Sequence, residues 1–210
     1  MTAHDRSTQA LAISLSALAG YVDALGFIKL GGYFVSFKSG NSTQLGVDLV
    51  TKGPLLPAAL IVTFVAGVSL GSITGHFADA RRRPVILALV SLLLLAAAAF
   101  HVGAIDNAAV GCMALAMGAE NTIFEDKGGV RFGLTYVTGS LVQTGQRLAA
   151  AFLGGERWGW IPYLLLWAGL VIGAVAGAAS YGHWGLDSLW FAAGAASLLT
   201  LINLRVRQSD

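Results

Sequence analysis

The chain has 210 residues, 56% of them hydrophobic and only 11% charged, with a formal net charge of +2 and a mean hydropathy of +0.71. A soluble domain carries about a quarter of charged residues, so this balance excludes one and leaves a membrane protein built of helices. The small net charge, with no basic stretch interleaved with aromatics, excludes a nucleic-acid surface, and a single cysteine, Cys112, excludes an internal disulfide and a cysteine metal cluster.

The first nine residues are polar, with Arg6 their one Lys or Arg, and the apolar run that follows ends in Asp23 rather than a small-residue cleavage site. That run is read as a first retained helix, not a removable signal. About 20 apolar residues span a bilayer. Six runs approach that length, near residues 10–27, 55–77, 85–102, 108–124, 161–181 and 189–204. Two more, 31–50 and 132–152, are long enough but carry polar islands. The first island is Ser36-Phe37-Lys38-Ser39-Gly40-Asn41-Ser42-Thr43-Gln44-Leu45-Gly46; the second is Thr135-Tyr136-Val137-Thr138-Gly139-Ser140-Leu141-Val142-Gln143-Thr144-Gly145. Hydroxyls and amides at membrane depth are costly unless they face each other, water or a ligand.

Charge placement bears on topology, because cytoplasmic loops near helix ends are enriched in Lys and Arg. Arg81, Arg82 and Arg83 form the strongest cluster, whereas the 101–107 connection has no Lys or Arg. Eight full crossings would put both termini, with Arg205 and Arg207, opposite the triple Arg. If each polar run instead enters and leaves on one side, both termini, the triple Arg and the Lys127 to Arg157 region share the cytoplasmic side, with Lys29, Lys38 and Lys52 as exceptions. The expected fold is therefore all-α and polytopic: six crossing helices plus two re-entrant or broken polar helices, with eight full crossings as the alternative.

The chain also repeats itself. Ser39-Gly40 aligns with Thr138-Gly139, Gln44 with Gln143 and Gly46 with Gly145, and one inserted residue earlier Gly20-Tyr-Val-Asp23 aligns with Gly118-Ala-Glu-Asn121. Gly67, Gly71 and Gly75 form a GxxxGxxxG ladder that Gly169, Gly173 and Gly177 repeat. A single membrane domain over residues 1–210 follows, with repeats at about 10–102 and 108–205. Three crossings per half would invert the second repeat, so that the two islands face one another near the midplane, as in many transporters. The ladders are expected to let helices approach closely.

The candidate ligand-binding residues are Asp23, Ser39, Gly40, Asn41, Thr43, Gln44, Glu120, Asn121, Thr138, Gly139, Ser140 and Gln143. An intramembrane carboxylate is costly, so Asp23 and Glu120 are candidate proton-coupling groups. The bland alternative for Asp23 is a helix cap or a pairing with Lys29 or Lys38. The island hydroxyls and amides suit a small polar or ionic solute; their bland alternative is tying helices together. Trp158, Trp160, Trp184 and Trp190 read as interfacial anchors. No HExxH, GxSxG, Walker or dinucleotide motif occurs, so no enzyme, cofactor or metal site is expected.

Gly20-Tyr-Val-Asp-Ala-Leu-Gly-Phe27, Phe34-Val-Ser-Phe-Lys-Ser-Gly-Asn-Ser-Thr-Gln-Leu-Gly46, Gly118-Ala-Glu-Asn121 and Thr138-Gly139 make the chain similar, over nearly its whole length, to the YoaK-like family of bacterial inner-membrane proteins. The resemblance implies a bacterial cytoplasmic membrane and a single helical domain, puts weight on Asp23, Ser39, Gly40 and Asn41, and implies no substrate. The expectation is a small secondary transporter, with an inverted-repeat channel or a non-transporting structural or regulatory protein as alternatives. The expected partners are the lipid bilayer, a small solute and a second copy of the chain as a homodimer.

Overall fold

A computed structural model describes residues 3–126, 129–130 and 137–206 of the chain. Thr135, Tyr136, Lys127, Arg207 and the start of the 132–152 run lie outside the described residues. The described helices are α1 (Ala3–Lys29), α2 (Lys38–Asp48), α3 (Leu55–Ala78), α4 (Arg82–Val102), α5 (Asp106–Glu120), α6 (Val137–Phe152), α7 (Ile161–Trp184) and α8 (Leu189–Val206). A two-residue ladder pairing Glu125 with Val130 and Asp126 with Gly129 follows α5. The fold is thus all-α, as expected.

Among the described residues, four helical stretches are long and apolar enough to cross a membrane: Ser7–Lys29, Leu55–Ala78, Arg82–Val102 and Ile161–Arg205. The last has 45 residues, about 68 Å if straight, more than twice a hydrocarbon core of about 30 Å. It is broken where Gly185 adopts φ 56°, a left-handed value that ends α7 before α8 begins. The outside of these helices is apolar: Val62, Val65, Ile73 and Phe77 on α3, and Ile172 and Val175 on α7, are exposed. A soluble protein would not leave such a surface in water, whereas lipid covers it. Leu15, Leu25, Leu87, Leu94, Met113 and Met117 are buried inside. Trp158, Trp184 and Trp190 are exposed near helix ends, as interfacial anchors are.

Small residues set the closest packing. Gly169, Gly173 and Gly177 of α7 lie in turn against the backbone of Ile13, Ala17 and Tyr21, so α7 runs parallel to α1. Gly67 and Gly71 of α3 lie against Leu115 and Ala119, so α3 runs parallel to α5. A methyl group added at Gly173 or Gly67 would run into the Ala17 or Leu115 carbonyl, which is why only glycine lets these backbones meet.

Polar ties identify the two ends of the bundle. At one end Arg83 Nη1 donates to Thr8 Oγ1 at 3.3 Å, joining the starts of α4 and α1. At the other, Lys29 at the end of α1 donates to Asp106 at the start of α5. His101 Nδ1 lies 2.7 Å from that Asp106, and its Nε2 lies 3.8 Å from Asp187 in the turn before α8. The chain between α1 and α3 therefore leaves from and returns to the Lys29 end. The chain between α5 and α7 does the same at the Thr8 end.

Candidate functional site

The returning chain after α1 makes the most polar part of the interior. Gly31 and Gly32, at φ 66° and 115°, reverse it, which only glycine does without strain. Residues 33–37 then run back along α1, with Val35 seated where Gly26 has no side chain. Because these residues precede α2, their N–H groups have no partner within a helix. Asp23 supplies it: its Oδ1 accepts from the Val35 and Ser36 N–H groups at 2.8 and 2.7 Å, and its Oδ2 from the Ser36 hydroxyl at 2.6 Å.

Asn41, fully buried on α2, clasps the same strand of chain. Its Oδ1 accepts from the Phe34 N–H at 2.9 Å and its Nδ2 donates to the Phe34 carbonyl at 2.5 Å. At the far end of α2 the Tyr33 hydroxyl donates to buried Asp48. Gly40 lies under the Phe34 and Phe37 rings, which a side chain there would displace. The motif residues Asp23, Gly40 and Asn41 are thus brought together around residues 34–37. Ser36, Tyr33 and Asp48 complete the cluster without having been singled out from the sequence. Ser36 was legible as the first polar residue of the island; Asp48 carried no signal of its own.

Neither bland pairing for Asp23 is what holds it. Lys29 goes to Asp106 instead. Lys38 lies within electrostatic reach of Asp23, with its Nζ 3.5 Å from the Phe34 carbonyl and 4.9 Å from the centre of the Phe64 ring. Asp23 is also the one ionisable side chain lining a pocket of about 440 Å³ between α1 and α7, among Gly20, Phe27, Phe34, Leu170 and Ala174.

The remaining candidates are more scattered. Ser39 and Thr43 are exposed, the Thr43 hydroxyl donating to the Ser39 carbonyl at 3.3 Å, and Gln44 is half-buried. On α6, Thr138, Gly139 and Gln143 are exposed and Ser140 is half-buried. α2 packs on α3 and α6 on α7; among the described residues no packed interface joins α2 to α6, so the expected facing of the two islands is not what these helices present. At the end of α5, Asn121 is buried and its Nδ2 donates to the Met117 carbonyl at 2.8 Å. Glu120 is fully buried within electrostatic reach of Asp23, at the crossing of α1 and α5. No group of three or more His, Cys, Asp or Glu among the described residues could hold a metal ion.

The family described as "Protein of unknown function (DUF1275)" matches residues 11–202. A UPF0700 transmembrane protein of Rhizobium meliloti (strain 1021) is 37% identical over 191 residues, covering 91% of this chain and 84% of that protein. Both agree with the YoaK-like resemblance carried by the Gly20 to Gly46 motifs. No solved structure matches the chain.

Proposed function

The chain belongs to the DUF1275 family of membrane proteins, and within it we propose a small secondary transporter that moves a small polar or ionic solute through the interface between two inverted repeats. The observation that carries this reading is the meeting of two buried carboxyls, Asp23 from α1 and Glu120 from α5, inside an apolar bundle. A carboxyl inside a membrane is costly in lipid and marks ion and proton paths elsewhere.

The repeat is supported by the glycine contacts. Ala17 and Tyr21 on α1 correspond to Leu115 and Ala119 on α5 at the same displacement that takes Gly20 to Gly118. Gly173 and Gly177 rest on the first pair, Gly67 and Gly71 on the second. Gly67 therefore corresponds to Gly173 and Gly71 to Gly177, a register one helical turn away from matching the ladders glycine by glycine. The helix directions support inversion: α1 runs opposite to α5 and α3 opposite to α7. In this reading there are six crossings, with the α2 and α6 segments re-entrant from opposite faces. The Arg81 to Arg83 end, with both termini, then lies in the bacterial cytoplasm, and the chain pairs as a homodimer in the inner membrane.

The test is flux into liposomes holding the purified protein, with a panel of labelled amino acids, sugars, polyamines and inorganic ions, against imposed proton gradients and voltages. Saturable uptake driven by the proton gradient supports a carrier. Ohmic conductance points to the channel alternative, and the absence of flux across the panel favours a protein that transports nothing.

A further inference from the structure

Asp23 and Glu120 are not interchangeable. Asp23 is built as an anchor, since three donors point at its two oxygens. Glu120 is fully buried, and among the described residues neither of its oxygens has a hydrogen-bond partner. It is also the last residue of α5, where the helix presents its partial negative charge and disfavours an anion. Aligned on Gly20 and Gly118, Glu120 occupies the place of Val22, one residue before the place of Asp23. One residue turns a side chain by about 100° around a helix, so the acid of the second half is directed away from the position at which Asp23 meets the returning chain.

We propose, resting on the transport reading above, that Glu120 is the proton-exchanging acid of the bundle. It holds its proton while the α1/α5 crossing is closed and releases it when that crossing opens to water, whereas Asp23 is an anchor that stays ionised. The surroundings agree with a neutral acid here. From α1, the charge that bears on Glu120 is Asp23, which opposes a second negative charge. α4 directs Arg82 to the Thr122 carbonyl at 3.1 Å and sets Arg83 over the Phe124 ring at 5.4 Å, both beyond the end of α5. The face of α3 against α5 is glycine, and the one ionisable side chain of that helix, His76, lies near its end. A buried carboxylate with no donor is among the most costly groups a protein can hold, and a bound proton removes that charge.

Dicyclohexylcarbodiimide, an apolar reagent that adds to protonated carboxyls, tests this on the full chain in liposomes, with adducts located by mass spectrometry. The expected result is an adduct on Glu120 and none on Asp23, falling as the pH is raised, with Glu120→Gln melting at or above the wild-type temperature and Asp23→Asn melting below it. An adduct on Asp23 with Glu120 unmodified, an unmodified Glu120 at every pH, or a Glu120→Gln variant as destabilised as Asp23→Asn overturns the assignment. The labelling needs no transported solute, so a failure to find flux and a failure to label Glu120 are separate results.

Discussion

The two short polar helices pack on different partners, α2 on α3 and α6 on α7. α2 is tied from several directions: Asp23 and Asn41 clasp the chain that leads into it, and Tyr33 reaches Asp48 at its far end. α6 packs on α7, where the Arg147 guanidinium lies 5.1 Å over the Tyr163 ring, and exposes Leu141, Val142, Leu148 and Phe152. Its Thr144 hydroxyl donates back to the Ser140 carbonyl of its own helix at 2.8 Å. On the α1 side, Asp23 accepts from two backbone N–H groups and a hydroxyl of the chain leading into α2; at the end of α5, the Asn121 amide donates to the Met117 carbonyl at 2.8 Å.

The largest expected effect breaks that contrast at its source. Asp23→Ala leaves three buried donors without an acceptor and should lower the stability of the protein in detergent by on the order of 4 kcal/mol. Asn121→Ala should cost about 1 kcal/mol. Equal losses in chemical denaturation would mean that Asp23 holds its surroundings no more firmly than Asn121 holds its own.

The glycine contacts of α7 on α1 and of α3 on α5 are alike in kind, and a second pair of variants isolates them. Gly173→Val and Gly67→Val each drive a side chain into a facing backbone carbonyl, and each should cost about 3 kcal/mol. If one is tolerated, the α1/α7 and α3/α5 contacts are not equivalent. Ser36→Ala removes one of the three donors to Asp23 and should cost about 1.5 kcal/mol, the range of a hydrogen bond to a charged group. No change in melting temperature would show that the two backbone bonds suffice.

The smallest effect concerns the tie between the ends of α1 and α5. Lys29, and after it His101, hold the Asp106 carboxyl below its usual range. A carboxyl depressed in the folded state contributes stability above its unfolded value of about 4, and that contribution is lost as the pH falls through the folded value. Wild-type melting temperatures should therefore drop on acidification below about pH 4, and the drop should be shallower in Lys29→Ala. Parallel curves for the two proteins would show that the contact adds nothing in solution.

How much of this was legible beforehand follows from how local each signal is. Composition and run length were enough for an all-helical membrane protein. The glycine ladders announced close packing, and an isolated carboxylate in an apolar run marked Asp23, because each of those signals is complete within a few residues. The partners were not legible. Asp23 meets Val35 and Ser36 only because Gly31 and Gly32 turn the chain back, and a sequence does not say where a returning loop comes to rest. The register of the proposed repeat has the same limit: glycines repeating every fourth residue align equally well one turn apart, and only the facing backbones of Ala17 and Leu115 favour one alignment.

The sequence by itself determined the solvent in which this protein lives and which residues have to be satisfied inside it, since hydropathy and the cost of buried polar groups are properties of single residues and short runs. Tertiary structure alone decided which of those groups is satisfied. Asp23 and Glu120 are both acids in apolar runs and look alike as sequence, yet among the described residues one faces three donors and the other none, because donors are delivered by a chain segment folded back in space.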